Sequence, residues 1–304
     1  MSLETDSLID RRRLKRRVSV WRTIAILAVL IAAIVILNRS KEAPWQKSYV
    51  ARLDVSGIIS EDRERDATIE RIAKDGAARA LIVHINSPGG TVVGGENLFR
   101  ELRQVAETKP VVAVMGTLAT SGGYMTALGA DYILARGGSI TGSIGVILQT
   151  TDVTGLLEKL GISAEAIKSA PLKAVPSPLE PLTEEGREAT RALVMDTFNQ
   201  FIDMVAERRQ LPRDTVVKLA DGRVYSGREA ADNKLIDALG GENEARDWLA
   251  ENRDIPRNTP VRDIEVERKR YGLLGMASSL AGKALFSERL TLDGLVSLWH
   301  PDLR

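Results

Sequence analysis

The chain contains no cysteine and only two histidines among its 304 residues. Without cysteine it can form no disulfide, no thiolate metal site and no thiol nucleophile. His84 and His300 lie far apart in the sequence and in different contexts, so a zinc site of several histidines is not expected. We therefore expect neither a bound metal nor a cofactor.

An excess of charge of one sign is also absent. Lysine and arginine number 42 against 41 aspartates and glutamates, which gives a net charge of +1. No basic stripe with interleaved aromatics occurs beyond the N-terminal region, so nucleic acid is not an expected partner. With 44% hydrophobic and 27% charged residues, the composition is typical of a globular chain with a sizeable core, in one large domain or two modest ones.

A long apolar run is present near the N-terminus. Residues 18–37 read VSVWRTIAILAVLIAAIVIL, which is about the 20 residues that a helix needs to cross a bilayer. Six lysines and arginines within residues 11–17 precede the run, whereas only Arg39 and Lys41 follow it closely. The positive-inside rule therefore predicts a cytoplasmic N-terminus. It also predicts that the chain after about residue 40 lies on the opposite, extracytoplasmic side of the membrane. A cleaved signal peptide is the alternative, but LNRSKEAPW lacks an A-x-A-like site.

Composition and charge divide the chain into five expected segments. A polar stretch with Pro44 follows the apolar run and is typical of a short stalk, and the last fifty residues are charged and then mildly amphipathic. The expected segments are a basic cytoplasmic segment at 1–17, a transmembrane anchor at 18–38, a stalk at 39–48, a folded domain at 49–252, and an extension at 253–304 that docks on the core or on a neighbour.

Strand and helix patterns alternate in the folded domain. Residues 80–85, ALIVHI, and 111–115, VVAVM, are continuous apolar runs of strand length, as in a sheet buried on both faces. A helical pattern lies between them, and YILA at 132–135 predicts a further short strand. This order predicts an α/β layered fold with right-handed crossovers. A strong helix is expected from the N-cap Thr183 to Arg209.

Two glycine-rich turns follow two of the predicted strands. INSPGGTVVGG follows residues 80–85, and TSGGY follows residues 111–115. Both turns should lie at the carboxyl edge of a parallel sheet, where ligand sites form. Gly89 and Gly90 can present backbone N–H groups to a developing oxyanion, and Ser121 at a helix start would add a neighbouring N–H. These fragments also fit a phosphate loop or plain tight turns, although the Gly-Lys-Ser/Thr of a Walker loop is missing.

A nucleophilic serine needs a base. His84 lies in an apolar strand run, where a structural histidine is the commoner finding, and His300 is a weaker candidate. Lys173 stands in the apolar segment PLKAVP. Burial lowers the pKa of a lysine, which would make this amine a base near neutrality, as in Ser-Lys variants of the catalytic triad. Lys168 is the less apolar competitor.

Five motifs occur in order between residues 49 and 241: INSPGG, TSGGYMTALGADYILA, GSITGSIGVI, IKSAPLKAVPSP and LADGRVYSGREAADNKLIDALGG. In this order and spacing they resemble the signal peptide peptidase A family of membrane-anchored serine peptidases, in its short bacterial form. The resemblance implies a Clp-protease/crotonase-like fold for the peptidase domain at 49–252. It implies degradation of released signal peptides and other small membrane-associated peptides. It also implies a homo-oligomeric ring on the extracytoplasmic side of the bacterial plasma (inner) membrane, with active sites shared between protomers.

The family's functional roles can be carried over residue by residue. The chain departs from the family pattern at Met125–Thr126, Ala170 and Ala174, but none of these changes removes a functional atom. The resemblance implies Ser121 as nucleophile, Lys173 rather than Lys168 as general base, Ser143 as the residue that orients the lysine, and Gly89, Gly90 and Gly122 as oxyanion donors, with Gly90 ahead of Gly89.

Two other classes of function stay open at this point. One is a crotonase-type enzyme that uses the same two N–H donors on a thioester. The other is a catalytically inactive membrane scaffold that forms rings through its C-terminal residues. Both explain part of the sequence, but the first leaves the apolar N-terminal run and the lysine segment without a role.

Overall fold

The computed structural model describes residues 21–31 and 48–266, together with the backbone of residues 296–298. The chain separates into two units between Lys47 and Ser48. In the first unit, residues 21–31 form a helix, α1. Among the described residues, no helix combines the length and the hydropathy required to cross a bilayer.

Most of the predicted N-terminal segments fall outside the described residues. This holds for the basic segment at 1–17, for the flanks of the predicted anchor at 18–38, and for nearly all of the stalk at 39–48. The anchor and the topology derived from it therefore stay predictions.

The second unit is built on one mixed β-sheet. Its central order is β6-β5-β3-β2-β1-β8, while β4 pairs with β3 and β7, and β9 pairs with β2. The strands of this sheet in the described residues are β1 Tyr49–Ile59, β2 Ala78–Thr91, β3 Val111–Thr120, β4 Tyr132–Ala135, β5 Ile140–Gly142, β6 Val224–Ser226, β7 Ala238–Leu239, β8 Val261–Asp263 and β9 Val296–Leu298.

Helices cover both faces of the sheet. The helices of the second unit are α2 Arg63–Lys74, α3 Val92–Ala106, α4 Gly122–Ala127, α5 Thr154–Lys159, α6 Glu184–Arg209, α7 Arg213–Leu219, α8 Gly227–Asp232 and α9 Glu242–Arg253.

The alternation of β2 side chains explains its continuous apolar run. Leu81, Val83 and Ile85 point into the main core, which α2, α3, α4 and α6 cover. Ala80 and Ile82 point to the opposite face, where α9 packs. A strand buried on both faces must be apolar at successive positions. The predicted α/β class is therefore confirmed, and the two predicted strands lie within β2 and β3.

The predicted long helix is found as α6. Thr183 caps it by accepting a hydrogen bond from the Gly186 N–H at 3.1 Å, and its C-terminal half buries Phe201, Ile202 and Val205. Near its end Arg208 donates to the carbonyl oxygen of Leu128 at 2.8 Å. The helix therefore lies across α4, which begins immediately after Ser121.

The segment predicted as a C-terminal extension contributes strands to the sheet. β8 pairs in parallel with β1, with Val261 opposite Val50. β9 pairs antiparallel with the end of β2. The boundary at residue 252 itself stays a prediction.

Candidate active site

Ser121 occupies a tight turn between β3 and α4. Its backbone has φ of +56° and ψ of −118°, and the residue is 1% exposed. A non-glycine residue at positive φ is uncommon, and such strain costs about 1–3 kcal/mol. The Ser121 N–H donates to the Gly142 carbonyl oxygen at 2.7 Å. This hydrogen bond fastens the turn to β5.

The two glycine-rich turns meet at this point. A Cβ added at Gly123 would lie 2.9 Å from the Ser87 carbonyl oxygen. The Thr120 hydroxyl donates to the Pro88 carbonyl oxygen at 3.2 Å. A side chain larger than hydrogen at position 123 would therefore separate the turns, which is why a glycine follows Gly122 here.

The geometry distinguishes the two glycines proposed as oxyanion donors. Gly89 has φ of +105°, and its N–H donates to the Ser87 hydroxyl at 3.0 Å. That hydroxyl donates in turn to the Gly57 carbonyl oxygen at 2.6 Å. The Gly89 N–H is thus already engaged, which favours Gly90 as the donor to a substrate. Gly122 lies in the first turn of α4, and the N–H groups of a first turn have no carbonyl acceptor within their own helix.

Ser143 lies beside the Ser121 turn. β5 pairs in parallel with β3, and Thr120 lies opposite Gly142. Ser121 follows Thr120 in the chain and Ser143 follows Gly142, so the two serines lie next to the same pair. Ser143 has φ of +50°, is 7% exposed, and donates its N–H to the Arg223 carbonyl oxygen at 2.8 Å. The structure therefore brings Ser121 and Ser143 to the same edge as the glycine turns.

Lys173 lies in the segment between α5 and α6, and its side chain is exposed in the single chain. Its own N–H donates to the Ala170 carbonyl oxygen at 3.0 Å. The apolar enclosure predicted from the flanking residues is thus not provided within one protomer by the described residues. By contrast, the amine of Lys168 is paired with the carboxylate of Glu180.

Seven large apolar side chains between residues 147 and 179 are exposed. We call this set the lysine patch, and it consists of Ile147, Leu156, Leu160, Ile162, Ile167, Leu172 and Leu179, each at least 41% exposed. Where exposed apolar side chains form a large contiguous surface, they mark a contact with a partner or a membrane.

His84 lies away from the serine turn. It precedes Gly90 by six residues on β2, a separation of about 20 Å along an extended strand. Its Nε2 is 3.2 Å from a carboxylate oxygen of Glu242, and Arg52 donates to the same carboxylate at 2.8 Å. His84, Glu242 and Arg52 therefore form a polar cluster at the start of α9. His300 lies outside the described residues.

A cavity of about 320 Å³ lies between α3, α4 and α6, and sequence reasoning missed it. Val92 and Phe99 of α3, Met125 of α4 and Phe201 of α6 contribute apolar walls. Gly95 brings α3 close to α4, since a Cβ at this position would lie 3.3 Å from the Gly122 Cα. No local motif signals such a cavity, because its walls come from distant parts of the sequence.

Gly142 and Ser87 are further residues that the sequence did not single out. Their contacts hold the serine turn and the glycine turn, respectively. A glycine or serine in a loop carries no distinctive signal until its partner is known. Among the described residues, no group of three or more histidines, cysteines, aspartates or glutamates is placed to hold a metal ion.

Comparison with known proteins identifies the family. Residues 103–256 match the model of Peptidase family S49. A provisionally named protease of Synechocystis is 40% identical over 203 residues, which cover 66% of this chain and 73% of the relative. An Enterococcus faecium protein provisionally named signal peptide peptidase SppA is 30% identical over 269 residues, covering 83% of this chain and 76% of the relative.

Solved structures resemble the chain more weakly. A point mutant of ClpP1 from Listeria monocytogenes aligns with a TM-score of 0.43 and 15% identity, over 64% of this chain and 92% of that one.

The chain belongs to Peptidase family S49 and is a serine peptidase. The family resemblance inferred from the five motifs is thereby confirmed. Membership favours the peptidase over the thioester enzyme and the inactive scaffold.

We expect Gly90→Ala to destabilise the protein strongly. The added Cβ would overlap the carbonyl oxygen of Ile59 and lie 2.5 Å from its carbonyl carbon, so β1 and β2 would have to separate. Overpacking of this kind costs about 3 kcal/mol. The control is Gly76→Ala, where the Cβ meets nothing within 4 Å and stability should change by less than about 1 kcal/mol. Urea unfolding measures both, and equal midpoints would contradict the close β1–β2 contact.

Proposed function

We propose that the protein is an endopeptidase with a Ser-Lys dyad that is completed by an adjacent protomer. Ser121 Oγ is the nucleophile, Lys173 of the neighbour is the general base, and the N–H groups of Gly90 and Gly122 bind the oxyanion. The observation that supports this best is the strained, buried turn at Ser121, which lies against the glycine turn of β2.

The chemistry proceeds in two steps. In the first, Ser121 Oγ attacks the peptide carbonyl while a neutral Lys173 amine takes its proton, and the proton then passes to the departing amine. In the second, water attacks the acyl-enzyme and the lysine again accepts and returns a proton. Each oxyanion donor contributes about 3 kcal/mol of transition-state stabilisation. Ser143 is placed beside Ser121 and would orient the lysine amine by a hydrogen bond.

The exposure of Lys173 supports a site shared between protomers. An amine in water is held protonated and cannot act as a base at neutral pH. A neighbouring chain that covers the lysine patch would remove water from this amine and also bury the exposed apolar side chains around it. One contact would thus assemble the ring and activate the base.

The proposed substrates are released signal peptides and other small membrane-associated peptides. The family resemblance and the name of the Enterococcus relative support this assignment. The apolar run at residues 18–37 with its basic N-terminal flank supports a single-pass anchor. We accordingly propose that the protein resides in the bacterial inner membrane, with its N-terminus in the cytoplasm and the peptidase domain on the extracytoplasmic side.

We expect Ser121→Ala and Lys173→Ala each to lower kcat for a fluorogenic peptide by about 10³-fold or more, because neither member of a dyad works alone. His84→Ala and Lys168→Ala are the controls and should stay within about threefold of the unaltered chain, since the His84 side chain lies beside Glu242 and the Lys168 amine is paired with Glu180. Thermal unfolding checks that all four variants fold. Loss of activity in Lys168→Ala, with activity retained in Lys173→Ala, would show that Lys168 and not Lys173 is the base.

Mixing the two inactive variants should restore activity. In a mixed ring, a Lys173→Ala protomer still supplies Ser121, and a Ser121→Ala neighbour still supplies Lys173. Random assembly of equal amounts makes about a quarter of the sites complete. Hydrolysis should therefore recover to about a quarter of the unaltered rate after the variants are dissociated and reassembled together.

The control for this mixing experiment is each variant dissociated and reassembled alone, which should stay inactive. Full activity of the unaltered chain after the same treatment shows that reassembly works. If the mixture then remains as inactive as its components, the dyad lies within one protomer.

A further inference from the structure

Three successive carbonyl groups follow the last turn of α4. The helix ends at Ala127, and Leu128 is its C-terminal cap. The last carbonyl groups of a helix have no donor within that helix, so another part of the molecule or water must supply one. Here the carbonyl oxygens of Leu128, Gly129 and Ala130 accept hydrogen bonds from two arginines. The far end of the helix that begins after Ser121 is therefore held by side chains of other elements.

Arg208 of α6 makes two of these hydrogen bonds. Its Nε donates to the Leu128 carbonyl oxygen at 2.8 Å, and its Nη2 donates to the Ala130 carbonyl oxygen at 2.9 Å. Both nitrogens belong to one planar guanidinium, so a single rigid group spans the two acceptors. Arg208 therefore fixes both the distance and the angle between α6 and the end of α4.

Arg103 of α3 holds the carbonyl group between these two. Its Nη1 donates to the Gly129 carbonyl oxygen at 3.3 Å and to a carboxylate oxygen of Asp131 at 3.0 Å. The other oxygen of that carboxylate accepts from the N–H of Val111, at the start of β3, at 3.0 Å. A Cβ added at Gly129 would lie 2.8 Å from the Leu102 Cβ, so α3 is in direct contact with the chain here. We call Arg103, Asp131 and Arg208 the arginine cluster.

The two arginines of the cluster repel each other. Burial, and after it the positive charge of Arg103, lowers the pKa of the Arg208 guanidinium, whereas Asp131 opposes this shift. Two neighbouring, half-buried cations are stable only when acceptors offset their repulsion and their loss of water. The three carbonyl groups and Asp131 are such acceptors, since the C-terminal end of a helix carries partial negative charge.

α4 connects the arginine cluster to Ser121 through its own hydrogen bonds. The Leu128 N–H donates to the Tyr124 carbonyl oxygen at 3.1 Å, and the Met125 N–H donates to the Ser121 carbonyl oxygen at 2.9 Å. The helix has six residues and is therefore only about 9 Å long. A displacement of its end is thus passed on to its start. A misplacement of about 1 Å at a reacting group can lower a rate about 100-fold.

We propose that Arg208 is a positioning residue for the peptidase reaction: by holding the end of α4 together with Arg103, it sets the place of Ser121 and of the Gly122 N–H. The inference rests on the proposed function, which gives these two groups their roles. Arg208 acts through α4 and supplies no contact to the substrate. Its loss therefore lowers kcat and leaves KM nearly unchanged.

The test replaces Arg208 in the full chain. Arg208→Gln removes the charge and shortens the side chain. Arg208→Lys keeps the charge, but its single nitrogen cannot span both carbonyl oxygens as the guanidinium does. The matched control is Arg213→Gln, which removes an arginine paired with Asp203 at 2.7 Å. kcat and KM are measured with a quenched-fluorescence peptide, and circular dichroism gives the folded fraction to which kcat is scaled.

We expect kcat to fall at least about tenfold in Arg208→Gln and at least about threefold in Arg208→Lys, with KM within about twofold in both. The control should leave both constants unchanged. An unchanged scaled kcat in either Arg208 variant overturns the inference, because Arg208 would then contribute to stability alone. A change confined to KM also overturns it. If Arg208→Gln does not fold, Arg208→Lys decides by the same criteria.

Hydrogen exchange separates this inference from the proposed function. Amide exchange in peptic peptides that cover residues 122–130 should be at least about threefold faster in Arg208→Gln, or in Arg208→Lys if only that variant folds, than in the unaltered chain and in Arg213→Gln, because the end of α4 opens more often. Equal exchange contradicts the inference even if Ser121-dependent hydrolysis is found. If no chain hydrolyses peptides, the proposed function fails, whereas the exchange rates still decide whether Arg208 holds α4.

Discussion

The hydrogen bond from the Ser121 N–H to the Gly142 carbonyl oxygen is the contact on which the site depends. It holds a non-glycine residue at positive φ, in the place where β3 stops and α4 starts. β5 makes this hydrogen bond possible, because its pairing with β3 places Gly142 and Ser143 next to the turn. The strain at Ser121 is thus offset by the sheet, and one ladder of backbone contacts positions both serines.

The rest of the site follows from how β2 and β3 separate. The strands are paired up to Ser87, and beyond that residue β2 keeps β1 on one edge and pairs with β9 on the other. The edge that β3 leaves carries Gly90 close to the serine turn, so the proposed nucleophile and the proposed oxyanion donor share one corner. Lys173, the proposed base, is exposed in one chain. Its exposure among apolar side chains favours the proposal that assembly is a condition of activity.

Much of this arrangement could be predicted from the sequence. The α/β class, the two central strands, the capped helix α6 and the two glycine turns follow from local patterns of polarity and capping. The positive φ of Ser121 could not be derived, because it depends on a partner in β5 rather than on its neighbours. The β9 pairing joins residues more than 200 positions apart, and no local signal specifies it. The apolar residues that flank Lys173 do not bury it in one chain either, because a side chain is buried only when another surface packs against it.

Covalent labelling tests most directly whether this corner activates Ser121. A serine-directed fluorophosphonate is added to the assembled protein, and the modified residue is located by mass spectrometry of its tryptic peptides. The predicted result is one adduct, on Ser121, that is lost in Lys173→Ala although this variant remains folded. An adduct on another serine, or equal labelling of Ser121 with and without the lysine, would contradict the account.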